Sequence, residues 1–504
     1  MGEACVLDIS LAAKLAGHAP GATSSLRHTK IVATVGPACA SPEKIRGLIL
    51  AGVNVFRLNF SHSEHAWHER MLNTIRAVAM ELRSPIAVLQ DLCGPKIRLS
   101  RVPHENYTVR EGDIVRITTE DRLVKQGADA IEFDLASTYS ELISDVNPGR
   151  RLLLDDGKIE LLVEQKLPHS LITRVTRGGV INRGKGMNLP GSELSTECMT
   201  EKDWRDLEWG IQHDVDYVAL SFVRRPEDLI GVRSRLDDTG SPAMLIAKIE
   251  RPEAVNHVSQ ILELADGLMV ARGDLGLETD LARVPLLQKS LIELCRRIGK
   301  PVITATQVLE SMINEATPTR AEVSDIANAI YDGTDAIMLS AETATGSHAE
   351  AAVTVIDRVA RATESHLDLH SSFDRRRSHA SNVSTAICDG AVATALNLDA
   401  RRVVVYSHSG HTARLLTRSR LPMNIVAVTN MPTTYRQLAL SYGVSPVLLP
   451  SVTDLPQLLI EMDRLVVEQA WGAPGDNLVI VSSLDGRDGH IDTLHVHSVA
   501  RFEA

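Results

Sequence analysis

Between Ile31 and Ser340 the chain repeats one device eight times: a short apolar run followed by a longer stretch. The runs are IVATV (31–35), VNVFRLN (53–59), IAVLQD (86–91), DYVALSF (216–222), MLIAKIE (244–250), GLMVAR (267–272), PVITAT (301–306) and AIMLS (336–340). Each is almost continuously apolar, so a strand built from it is covered on both faces. Between them lie stretches such as SPEKIRGLILAG (41–52), PEAVNHVSQILELA (252–265) and PLLQKSLIELCRRIG (285–299). Their apolar residues recur at i, i+3 and i+4 and they often close on glycine, which marks helices. Strands buried on both faces and joined by helices form a parallel sheet. Eight such units suggest an α/β chain with a closed (β/α)8 TIM barrel. The pattern alone leaves an open sheet as the alternative. Aromatic residues make up only 3 % of the chain, so the cores are built mainly from Val, Ile, Leu and Ala.

The repeat is interrupted once. YTVREGDIVRITTE (107–120), RRLLLDDGKIELLVEQ (150–165) and LITRVTRGGVIN (171–182) alternate like half-buried strands, with glycine-containing turns. Residues 95–193 therefore read as a small all-β domain inserted after the third barrel strand. That position lies over the C-terminal strand ends, where barrel active sites are built, so the insert is expected to act as a lid. The barrel itself is assigned to 29–94 and 194–370. DLHSSFDRRRSHASN (368–382) reads as a polar linker. Beyond it RRVVVYS (401–407), MNIVAVT (423–429) and DNLVIVSS (476–483) alternate with helical segments such as TTYRQLALSYG (433–443), giving a C-terminal α/β domain over 371–504. Residues 1–28 are expected to be a mobile extension.

Charge and cysteine usage narrow the function. Lys plus Arg is 53 and Asp plus Glu is 64, a net charge of −11. An acidic chain argues against general binding to nucleic acid or anionic membrane, so any bound phosphate must meet a local cluster of cations. The six cysteines, at 5, 39, 93, 198, 295 and 388, form no Cys-x-x-Cys pair. This argues against a disulfide framework or a zinc knuckle and for reduced thiols in the cytoplasm. The first 28 residues lack the basic start and apolar core of a signal peptide. No apolar run reaches the roughly 18 residues that span a membrane.

Polar residues sit repeatedly where the apolar runs end. In FRLNFSH (56–62), Arg57, Asn59 and Ser61 share one face if the strand continues, because strand side chains alternate. AKIERPE (247–253) projects Lys248 and Glu250 to one side; a structural ion pair is the other reading. ARGDLGLE (271–278) sets Asp274 between two glycines, and with Glu250 it offers the two carboxylates of a hard-cation site. ATQ (305–307) adds Thr306, and LSAET (339–343) adds Ser340 and Glu342. In a closed barrel these exits meet on one rim, with Asp91 and Arg98. Cations beside a magnesium site favour phosphoryl transfer, whose catalysis is mostly positioning and charge stabilisation.

NVFRLNFSH, DLCGPKIR, KGMNLPG, LIAKIE, VARGDLG, ATQVLESM and PTRAEVSDIANAIYDGTDAIMLSAETA together closely resemble pyruvate kinase, in order, from about Lys30 to Val499. The resemblance implies a barrel domain, a β-barrel lid, an α/β C-terminal domain and a homotetramer. It implies transfer of the phosphoryl group of phosphoenolpyruvate to ADP, giving pyruvate and ATP. By motif position Glu250 and Asp274 are then ligands of Mg2+ or Mn2+, and Lys248 stabilises the transferring phosphoryl group. Arg57 and Arg98 address phosphate, and Gly273 joins Asp274 at the substrate. Thr306, Ser340 and Glu342 lie where the enolate is protonated. Asn59, Ser61 and Asp91 match the monovalent-cation pocket. Arg57, Asn59, His62 and Lys185 serve the nucleotide, with DDG (155–157) on the lid. A magnesium-dependent aldol lyase and a non-catalytic scaffold are the rival readings; the lid, Lys248 and the C-terminal domain speak against the first, and the intact polar set against the second.

One turn departs from the family's common Asp-Thr-Lys-Gly-Pro-Glu-Ile-Arg. Here it reads Asp91-Leu92-Cys93-Gly94-Pro95-Lys96-Ile97-Arg98. Leu92 removes a potassium ligand and Lys96 reverses a charge beside the pocket. The resemblance is to the potassium-independent type, with the Lys96 ammonium in the role of the ion. Two unit charges about 4 Å apart interact by roughly 4 kcal/mol at an effective dielectric near 20, so a tethered cation matters. In the C-terminal domain YSHSGHTARLL (406–416) follows a strand and opens a helix. Ser407, Ser409, Gly410, His411 and Thr412 form a candidate phosphate cradle, and the family uses this loop for phosphorylated allosteric effectors.

Overall fold

Eight parallel strands close on themselves: Lys30–Thr34, Val55–Asn59, Ala87–Asp91, Tyr217–Leu220, Met244–Ile249, Gly267–Ala271, Val302–Ala305 and Ala336–Leu339. The last pairs with the first, Ala336 opposite Lys30, so the closed barrel replaces the open-sheet alternative. The computed structural model describes residues 27–119, 133–367, 382–449, 452, 455–482 and 491–500. The polar stretch 368–381, Ser483, Glu120 and residues 1–26 lie outside them. Arg27 and His28, assigned to the extension, are docked: Arg27 Nη2 donates to Gly52 O at 2.6 Å, and His28 N to Glu364 Oε2 at 2.8 Å.

The barrel has two apolar layers because its strands are covered twice. Inside, Val32, Leu89, Ala219, Ile246, Met269 and Ile303 fill the lumen, and Leu440 of the C-terminal domain joins them from below. Outside, the other faces of the strands pack against the helices. The helix Pro42–Ala51 illustrates how each layer is built. Ser41 Oγ accepts from Lys44 N at 3.3 Å, Pro42 opens the first turn, and Ile45, Leu48 and Ile49 face the sheet. The run 252–265 forms two helices, Pro252–Asn256 and Val258–Leu264, parted at His257. No described helix is long and apolar enough to cross a membrane, and the five described cysteines are free.

The insert is a second, barrel-like sheet of seven strands with a two-stranded ribbon, Tyr107–Val109 on Gly179–Ile181. It owns a separate core that includes Leu99, Ile117, Leu152 and Leu161. The C-terminal domain has a five-stranded sheet in the order Val444–Leu448, Ile425–Thr429, Arg402–Tyr406, Asn477–Ser482 and Thr493–Ser498. The last strand alone is antiparallel. The helix expected at 433–443 runs only over Pro432–Gln437. A 3-10 turn, Leu438–Leu440, follows, buried against the barrel floor.

Candidate active site

Strand register brings the cluster together. Asn59 lies opposite Asp91 on the neighbouring strand, and Arg57 opposite Thr34 on the other side. Arg57 Nε donates to Asp91 Oδ2 at 2.6 Å, and its Nη1 to Thr34 Oγ1 at 3.1 Å. Lys248 Nζ donates to Asp91 Oδ1 at 3.1 Å and to Ser221 Oγ at 2.6 Å, and lies 3.0 Å from Glu250 Oε1. Glu250 Oε2 accepts from Phe222 N at 2.9 Å. These groups are almost wholly shielded from water, which strengthens every charge–charge term among them. Burial works against charge on Asp91, but Lys248 and Arg57 outweigh it and hold the carboxyl below its usual range. Burial also works against charge on Lys248, but Asp91 and Glu250 carry the ammonium above the ordinary lysine value.

The two remaining carboxyls behave in the opposite way. Burial raises Glu250, Asp274 adds to the rise, and Lys248 opposes it. Burial likewise raises Asp274, with Asp156 and Glu278 adding to it and Lys248 and Lys96 opposing. Among the described residues Asp274 has no hydrogen-bonded or ion-paired side-chain partner. A buried carboxyl and a half-buried one without a side-chain partner, both raised by burial, fit a hard divalent cation. Mg2+ takes one or two protein carboxylates and completes its octahedron with water and phosphate oxygens. No group of three or more metal-ligating side chains occurs among the described residues, so an all-protein cage is not the arrangement.

Thr306 and Gln307 end the seventh strand with φ of 67° and 53°, a left-handed conformation that is uncommon for a β-branched residue. Thr306 Oγ1 accepts from Gly273 N at 2.8 Å and donates to Ala305 O at 2.6 Å. Arg272 fixes the same loop: its Nη2 donates to Thr306 O at 2.8 Å and its Nη1 to Asp325 Oδ2 at 2.6 Å. Glu342 is buried; its Oε2 accepts from Ser340 N at 2.7 Å and its Oε1 from Leu309 N at 3.1 Å. It therefore braces two loops by hydrogen bonds to their amides.

The lid lies against the barrel. A Cβ on Gly157 would sit 2.8 Å from Leu277 Cδ2, so the 155–157 turn touches the short helix Arg272–Glu278. Lys96, Asp156, Asp274 and Glu278 line the cleft between them. Lys96 makes no side-chain hydrogen bond or ion pair with Asn59, Ser61 or Asp91; both Asp91 oxygens are taken by Arg57 and Lys248. Within the insert Arg98 Nη1 donates to Gly184 O at 2.9 Å, and Lys185 Nζ pairs with Asp155 Oδ1 at 2.7 Å. Partial burial lowers His62, and the cations Arg98, Lys96 and Arg57 lower it further. Asn59 Oδ1 accepts from Ser61 N at 3.1 Å, so those two form one turn. At the other end of the molecule Ser407 Oγ accepts from Gly410 N at 3.0 Å, and Gly410 caps the helix His411–Thr417, which holds Thr412. Ser409 O accepts from Arg414 Nη2 at 3.1 Å.

Sequence reasoning passed over Thr34, Ser221, Arg272 and Glu278. Ser221 had a readable signal, a hydroxyl at the exit of the fourth apolar run; Thr34 meets Arg57 and Leu339 across neighbouring strands, and the contacts of Arg272 and Glu278 depend on loops whose path the sequence does not give.

A family model described as pyruvate kinase, barrel domain, matches residues 26–353, and one described as pyruvate kinase, alpha/beta domain, matches 385–497. Pyruvate kinase of Sporosarcina psychrophila is 41% identical over 479 residues, 94% of this chain and 81% of that protein. Pyruvate kinase 2 of Synechocystis sp. is 41% identical over 478 residues, 94% of this chain and 79% of that one. For Agrobacterium vitis pyruvate kinase the values are 40% over 476 residues, 94% and 97%. The chain belongs to the pyruvate kinase family of phosphotransferases.

Proposed function

We propose that the barrel rim transfers the phosphoryl group of phosphoenolpyruvate to ADP with Lys248 as the charge-stabilising group, and that it does so without potassium. The observation that carries this reading is the Lys248 ammonium, joined to Asp91, Glu250 and Ser221 at three strand exits. Held there, it meets negative charge on the phosphoryl oxygens with no reorganisation during the reaction. Glu250 and Asp274 would hold Mg2+ or Mn2+, which when bound neutralises charge on the phosphoryl and enolate oxygens. Arg57 and Arg98 orient phosphate, and Gly273 N–H lies beside Thr306 at the substrate. The enolate left by transfer takes a proton at carbon on the side of Thr306, Ser340 and Glu342, which makes the exchange strongly downhill. His62, Asn59 and Lys185 address the nucleotide, and the lid excludes water that would hydrolyse the donor.

Lys96 supplies the monovalent charge from the cleft side, where it faces Asp274. Both Asp91 oxygens are engaged by cationic side chains, and Leu92 O accepts from Ser221, which supports a site that runs without a recruited ion. We further propose a homotetramer in the cytoplasm, regulated by a phosphorylated small molecule at Ser407, Ser409, Gly410, His411 and Thr412; thermal-shift titration with sugar phosphates and AMP tests the effector. The decisive experiment is coupled formation of pyruvate and ATP with potassium replaced by sodium or tetramethylammonium. The expected rate is the same in all three, and Lys96→Glu is expected to create a potassium requirement. Strong potassium activation of the unaltered enzyme would defeat the Lys96 reading, and absence of turnover the whole of it.

A further inference from the structure

The dipeptide Ser221–Phe222, just past the fourth barrel strand, touches both Lys248 and Glu250. Ser221 Oγ accepts from Lys248 Nζ at 2.6 Å and donates to Leu92 O at 2.7 Å. Leu92 opens the outward linker to the lid. Ser221 O accepts from Cys198 Sγ at 2.9 Å, and Cys198 lies in the linker that returns from it. Phe222 N donates to Glu250 Oε2 at 2.9 Å. Its φ of 58° is a true outlier for a bulky side chain, of the kind that persists only where the surroundings enforce it. The surroundings here are the outward linker again. A Cβ on Gly94 would lie 2.7 Å from Phe222 Cδ2 and 3.2 Å from Ser221 Cβ, and Gly94 itself has φ of 67°. Only glycine satisfies both conditions there.

We propose that Ser221 and Phe222 form a positioning joint that couples both lid linkers to Lys248 and Glu250, so that seating the lid and aiming the ammonium are one event. The physical basis is that a hydroxyl has a single proton. While it is given to Leu92 O, the Ser221 lone pairs are turned to Lys248 and fix its direction. If the outward linker shifts, that proton turns from Leu92 O toward its longer acceptor, Asp91 Oδ1 at 3.4 Å, and the lone pair that aims Nζ turns with it. This rests on the reading of Lys248 and Glu250 given above, and neither Ser221 nor Phe222 is asked to touch a substrate.

Ser221→Ala tests it, with Ser221→Thr restoring the hydroxyl. Turnover by the unaltered chain tests the reaction; the variants, measured against it, test the joint. Ser221→Ala is expected to lower kcat at least tenfold while KM for phosphoenolpyruvate moves less than threefold, and Ser221→Thr to recover most of kcat. A kcat within twofold of the parent overturns the proposal, as does a Thr variant as impaired as the Ala variant. An arm on the unaltered protein does not depend on how the variants fold. Amide exchange is followed on adding Mg2+ and oxalate, a planar dianion of enolate shape. Protection is expected to rise together at 92–94, 198–199 and 221–222; protection of 221–222 without the linkers overturns the proposal.

Discussion

His68 shows how a single buried group contributes to the pH response of the fold. Its ring stacks on Phe60, with centroids 4.0 Å apart and an interplanar angle of 9°, and its Nε2 lies 3.0 Å from His62 O. Nδ1 is buried with no partner among the described residues. A second proton there would find no acceptor, and burial lowers the pKa to about 4, from an ordinary value near 6.5. The folded pKa is the lower one, so the unfolded chain binds more protons between those values. Stability is therefore lost as pH falls from about 6.5 toward 4 and levels off below. The thermal midpoint is expected to drop between pH 7 and pH 5, and His68→Phe, which keeps the stack, to drop less; equal slopes would count against this. At this scale the sequence was informative where chemistry is encoded by alternation. Lys248 and Glu250, two apart on one strand, do project to one place. Ser221 stood at a readable strand exit, but its role and that of Thr34 stayed hidden because their partners lie on other strands.

Loops and short elements carry what strands leave open. All eight barrel runs were legible because each is buried on both faces, and continuous apolarity of that length is compatible with few structures besides a covered strand. The sequence set Asp274 between two glycines but gave no sign of the short helix Arg272–Glu278 that carries it, since glycine weakens the helical signal. Val444–Leu448 went unread because Pro446 sits in it; the strand tolerates proline only because it is the sheet edge. Gly36, at the exit of the first strand, tests how closely such elements fit. An added Cβ would lie 2.4 Å from Ala344 O and 2.7 Å from Ala344 Cβ. The short helix Ala341–Ala344 carries Glu342, which braces Ser340 and Leu309. Gly36→Ala must push that helix away, at an overpacking cost of about 1–3 kcal/mol. A lower thermal midpoint and a lower kcat are expected together in the variant; an unchanged kcat would mean that the Glu342 brace tolerates the shift.

The whole molecule is joined at the floor of the barrel, on the face opposite the site. Three aspartates stand just before barrel strands, and each takes an amide of the preceding strand in the barrel: Asp216 from Val88, Asp266 from Leu245, Asp335 from Val302. Two of them also hold an arginine of the C-terminal domain. Arg436 Nε donates to Asp216 Oδ1 at 2.7 Å, and Arg420 Nη1 to Asp335 Oδ1 at 3.0 Å, with the Arg420 guanidinium 4.2 Å above the Tyr442 ring. The order of the domains was readable, but not this face, because the partners are 220 and 85 residues apart. Asp335 and Arg420 are both 4% exposed at the side chain. Removing one charge leaves the other buried and unpaired, which costs about 3–5 kcal/mol, whereas removing both leaves no such charge. Asp335→Asn and Arg420→Gln are each expected to lower the thermal midpoint sharply, and the double variant to lose less than the sum by at least about 1 kcal/mol. A calorimetric scan of Asp335→Asn is also expected to resolve the C-terminal domain as a separate, earlier transition, since a chain of several domains is not bound to unfold in one step. Additive losses, or a single unshifted transition, would show that the Leu440 plug and not the ion pair holds the domain to the barrel.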